Sequence, residues 1–248
     1  MKEHGLLLTG DSVRAVLRSV DPKTQTRRVV KLPHNNSLGV WEPTTIGGPN
    51  GGRTAAGETI PEQGAIWHTR TGDCLMSPYG GPGDRLWVRE ASCHLSEVRT
   101  ADPGGEALQR CAFYRADYPG NTLMHDTDPS KKIKWRSSRF MPRRASRITL
   151  EIVNVRAERL LDITAEDAVA EGILRWNPSN SRTPLWQSPP HLRQFGEGDN
   201  ADVVRYDGRP VEDPREAYLG VWDNLNFKRG YGRHVNPWVW RIEFRRIP

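Results

Sequence analysis

The chain has 248 residues, of which 36% are hydrophobic, and its mean hydropathy is −0.69; this suits one large domain, or a small domain with long insertions, around a core small for the length. Thirty-six Lys and Arg against 30 Asp and Glu give a formal charge of +6, which fits a polyanionic partner. No stretch approaches the ~20 apolar residues of a membrane span, and the run Leu6-Leu7-Leu8 is too short for a signal peptide, so a soluble protein of the cytoplasm is expected.

Four patterned segments alternate with three irregular ones. In the first, Gly10-Asp11-Ser12 offers an N-cap, and Val13, Val16, Leu17 and Val20 follow at helical spacing. Asp21-Pro22 ends that helix or starts a new turn, and Lys23-Thr24-Gln25-Thr26-Arg27-Arg28 lies just beyond. Residues 33–79 are rich in Gly, Pro, Asn and Thr and read as a structureless insertion, a flap over the core. Gly80 to Asp84 is a tight turn before the strand Arg85 to Glu90, which sets Trp87 and Arg89 on one side and Leu86, Val88 and Glu90 on the other.

Residues 93–142 form a second insertion, with a strand expected at Cys111 to Ala116. Arg147 to Arg156 alternates as a half-buried strand. Thr164 then caps a short helix through Glu171, with Asp167 at capping-box spacing and Gly172 as its stop. A third insertion covers 175–212. A helix at 213–226 carries Tyr218, Leu219, Trp222 and Leu225 on one face, and Pro237 to Arg246 closes the chain as a strand whose Trp238 and Trp240 read as core packing. The segments 1–32, 80–92, 143–174 and 213–248 together predict an α+β protein, a small β-barrel crossed by short helices and carrying three loop-rich insertions.

Chemistry concentrates in residues 23–28. If this segment is a helical turn, Lys23 and Thr26 share a face. A desolvated lysine beside other cations can serve as base for a threonine nucleophile, and Arg27 or Arg28 can hold a developing oxyanion. The plain alternative is a solvated basic helix end, with Thr26 bonded to its own backbone. A second cationic stretch, Lys131, Lys132, Lys134 and Arg136 around Trp135, suits a base-stacking groove as well as it suits a solvated strand. Cys74, Cys93 and Cys111 show no metal-ligand spacing, and neither a metal nor a cofactor is expected.

KTQTRR, GDRLWVRE, RITLEIVNVRAERLLDITAEDAVAEGI and NPWVWRIEFRRI, in this order, resemble the ASCH domain, whose fold is a PUA-like β-barrel associated with RNA and modified nucleotides. The long insertions and the NPWVW ending look like its phage-encoded branch, which implies a bacterial or phage-infected host cytoplasm. Small bacterial members are N4-acetylcytidine amidohydrolases, and the resemblance implies matched roles: Lys23 and Thr26 for their K-x-x-T, Glu171 for the glutamate ending their short helix, and Arg28 for the arginine two places beyond the threonine. It therefore implies a metal-free amidohydrolase acting on N4-acylated cytosine nucleosides or a related modified base. Glu90 is a further carboxylate expected at the pocket, and Arg27 an additional substrate contact. Competing expectations are a non-catalytic module that binds RNA or modified nucleic acid, and a ribonuclease.

Overall fold

A computed structural model describes residues 1–48, 53, 56–59, 61–94, 112–118, 135–176, 185–187 and 211–247. Within these the elements run β1 (Glu3–Leu7), α1 (Gly10–Val16), β2 (Gln25–Val29), β3 (Trp41–Ile46), β4 (Gln63–His68), β5 (Cys74–Met76), β6 (Arg85–Arg89), β7 (Ser92–His94), β8 (Ala112–Tyr114), β9 (Thr149–Arg159), α2 (Ala165–Ala170), β10 (Leu174–Trp176), β11 (Leu185–Gln187), α3 (Pro214–Asn226) and β12 (Trp238–Ile247). The protein is α+β, mostly strands with a few short helices.

The central sheet has the order β1-β6-β9-β12-β2. β1 runs parallel to β6, and the other pairings are antiparallel. The ladder does not close, so β1 and β2 are its two edges. One side chain spans between them: Arg28 Nη2 donates to the Leu7 carbonyl.

Alternation along the strands builds two cores, one on each face. Trp240, Ile242 and Phe244 of β12 point to the first, with Leu6, Leu86, Val88, Leu150, Ile152 and Val155, and α1 closes it with Val13 and Val16. Val239 points to the second, beneath Ala168 of α2 and Ala217, Leu219 and Trp222 of α3. Ile152 and Val155 are three apart and would face opposite ways on a regular strand. A bulge resolves this, since Glu243 pairs with Asn154 and Phe244 with Ile152, leaving Val153 extra and exposed.

Three expectations are corrected. The first helix is capped one residue earlier, by Thr9, whose hydroxyl accepts the Ser12 amide. Residues 23–28 are not a helical turn: Asp21 takes a positive φ of 47°, and Gln25 to Val29 then pair with Glu243 to Val239, a setting that suits the β-branched Thr26. The segment 33–79 is not structureless, because β3, β4 and β5 form an antiparallel sheet that delivers Trp41 and Ile66 to the first core. Its attachment depends on Gly64, where a Cβ would stand 2.1 Å from the Val155 carbonyl oxygen. The strand expected around residue 113 is present as β8, paired with β7.

Candidate active site

Lys23 and Glu171, 148 residues apart, meet in a buried contact. The Lys23 ammonium donates to Glu171 Oε2 at 2.6 Å and to the Glu171 carbonyl at 2.6 Å, and both side chains are under 5% exposed. Local structure explains the meeting. The Thr164–Asp167 capping box starts α2, and Gly172 stops it at φ 99°, a conformation costly for other residues. A Cβ at Gly172 would come within 3.0 Å of Ala15 Cβ and 3.5 Å of Lys23 Cβ, so the end of α2 packs directly on α1 and on the lysine. The backbone seals this corner: Lys23 N–H donates to Ala15 and Thr24 N–H to Ala170.

Burial is the main influence on Lys23 and pushes its amine below the ordinary lysine range; Glu171 opposes this, while Arg28 and Arg27 add to it. Glu171 is gripped on its other side too, since Arg27 Nη1 reaches Oε1 at 3.3 Å. The same guanidinium bonds Asp167 at 2.8 Å and Glu158 at 2.9 Å, with no exposed side-chain surface. Arg241 extends the network to Asp167 and to Gln25 Oε1. Tyr218 lies against it with Arg27 over its ring at 5.8 Å, and burial together with Glu171 raises its phenol well above the ordinary tyrosine range.

The sequence-predicted residues separate accordingly. Lys23 and Glu171 are brought together. Thr26 is buried, but its strand position places it on the face opposite Gln25 and Arg27, and both Lys23 hydrogen bonds among the described residues go to Glu171 rather than to Thr26. Arg28 shares the Thr26 face and its charge acts on both Lys23 and Tyr218; its Nε is buried without a partner among the described residues, a donor left for an incoming acceptor. Arg27 is taken up by three carboxylates and holds the frame around Glu171. Glu90 lies elsewhere. Its buried carboxyl is held bidentately by Arg147, outside the Lys23 network, and burial raises it against the pull of Arg147.

Lys131, Lys132 and Lys134 lie outside the described residues; Arg136 is exposed and bridges to Ser92. A surface cleft of about 570 Å³ lies between residues 161–165 and 212–215 and includes none of the residues of the Lys23 network. Glu158 and Arg241 were not singled out from sequence, and Asp167 and Tyr218 were read only as a helix cap and a helix face. Alternating charge such as that of Val155 to Arg159 ordinarily marks a solvent face; here Glu158 is buried while Arg156 stays half exposed. Compared with protein-family models, with curated proteins and with solved structures, the chain matches none.

Proposed function

We propose that the protein is a metal-independent amidohydrolase that removes the acyl group from N4-acylated cytosine nucleosides or a related modified base, on a PUA-like barrel opened between β1 and β2. The observation that carries this reading is the buried Lys23–Glu171 contact, which joins two positions that the ASCH resemblance implies are catalytic. In this reading substrate displaces Lys23 from Glu171 toward Thr26. The neutral amine takes the Thr26 proton as Oγ1 bonds to the acyl carbon, and Arg28 and backbone N–H groups hold the oxyanion. The C–N4 bond then breaks, and the proton passes from Lys23 to the departing exocyclic nitrogen, with Glu171 orienting Lys23 or that nitrogen. Water cleaves the threonine ester, releasing the carboxylic acid and restoring the hydroxyl.

The test is incubation of the purified protein with N4-acetylcytidine in EDTA, following cytidine release. The wild type is expected to release cytidine, and Lys23→Ala and Thr26→Ala to abolish release; because Lys23→Ala strips the buried Glu171 of one partner and lowers stability, both variants are assayed well below their thermal midpoints. Absence of release from this and from bulkier N4-acylcytidines would overturn the reading.

A further inference from the structure

The outer face of the β1–β6 edge carries a cationic and aromatic surface that the amidohydrolase reading does not use. Arg85, Trp87 and Arg89 alternate onto this face while Leu86 and Val88 enter the core. Their parallel neighbours are Glu3, Gly5 and Leu7. Gly5 makes the surface flat: a Cβ there would fall 3.1 Å from the Trp87 ring and 2.9 Å from Arg89 Cδ, so both side chains lie across the bare glycine. The Arg89 guanidinium sits over the indole at 5.1 Å and also donates to the Arg139 carbonyl. That bond brings the end of the second insertion alongside, with Phe140 projecting at 73% exposure.

Charge on this face is one-sided. Its two acids are neutralised, Glu3 by Arg143 at 2.9 Å and Glu151 by Arg245 at 2.9 Å. Arg85, Arg89 and Arg139 form no close ion pair among the described residues, although Arg85 adds its field to Glu3, and the Nε donors of Arg85 and Arg89 are buried with no acceptor there. Stacked planar cations beside aromatic rings match a chain that alternates anionic phosphates with flat bases. A membrane surface would call for a broad apolar face, and among the described residues this face exposes Leu7 and Phe140 as its large apolar side chains.

We infer that this β1–β6 face, with residues 139–140, binds a single-stranded nucleic acid, independently of any chemistry at Lys23. The test is fluorescence anisotropy of labelled 20-residue oligo-uridine and oligo-deoxythymidine with the full chain from 50 to 200 mM salt. Three arginine–phosphate contacts predict a log–log salt slope of about −2, and Arg139→Glu lowers its magnitude by about 0.7 or more. Phe140→Ala, which removes an exposed side chain and so leaves folding intact, weakens binding roughly 5- to 100-fold if a base stacks there. Trp87→Ala and Arg85→Glu/Arg89→Glu weaken it further, while Lys23→Ala leaves it unchanged. Absence of binding, binding that these changes leave intact, or binding only to vesicles of phosphatidylglycerol would each overturn the inference. Because the readout is binding, failure here is distinct from failure of the deacylation assay.

Discussion

Glu171 is held by two cations of different kinds, and the difference matters for chemistry. Arg27 cannot lose its proton under ordinary conditions, whereas burial makes Lys23 able to. A lysine whose amine lies below the ordinary value of 10.5 is protonated and inert at low pH and becomes a base as pH rises through its folded-state value. If the protein deacylates N4-acetylcytidine as proposed, the pH profile of its kcat/KM is expected to show an ascending limb below that ordinary value. Arg28 helps to depress Lys23, so Arg28→Gln raises the lysine and moves the limb to higher pH; a limb that stays in place would show that Arg28 does not act on Lys23. At this scale the sequence named Lys23 and Glu171 separately, through the ASCH resemblance, and the structure brings the two into contact. The setting of Arg27 was not legible, since the strand that turns it away from Thr26 and into three carboxylates is fixed by pairing with the distant Arg241.

Among the elements, β4 shows what a single missing side chain permits. Gly64 lies where the Val155 carbonyl approaches, so the insertion strand can press its Ala65 and Ile66 into the core without exposed surface. Gly64→Val is expected to force β4 away from β9 and to lower stability by about 1–3 kcal/mol or more, read as a fall in the thermal midpoint with the Lys23 site left in place. Compositional reasoning missed this sheet because Gly, Pro, Asn and Thr ordinarily mark loops, and close backbone packing is a non-local use of glycine. α2 and α3 were legible for the opposite reason. For α2, Thr164, Asp167 and Gly172 are local signals that act within one turn, and for α3 the spacing of Tyr218, Leu219 and Trp222 is a signal carried within the helix itself.

For the whole molecule, the central sheet divides two cores of different character. The first gathers apolar side chains of β1, β6, β9, β12 and α1. The second shares its face with buried Arg27, Glu158, Asp167 and Glu171. Burial raises the Asp167 carboxyl, but Arg27 and Arg241 outweigh it and hold the group below its usual 3.8. Its folded-state value is thus lower than its unfolded one, so its stabilisation is present above that unfolded value and is lost as pH falls through the folded one. Asp167→Asn leaves Arg27 and Arg241 short of a counter-charge and is expected to cost about 3–5 kcal/mol near neutrality. The deficit narrows in acid, and urea unfolding at both pH values checks this. No helix among the described residues is long and apolar enough to cross a membrane.

The grip of Arg27 on three carboxylates, one from β9 and one from each end of α2, also bears on descent. Any one of the four, changed alone, strands a charge in a dry interior, so viable substitutions must come as sets. Lineages that drop Glu158 or Asp167 are expected to have replaced Arg27 as well, and the four sites then vary as one heritable character. Drift across the surrounding loops, meanwhile, proceeds freely.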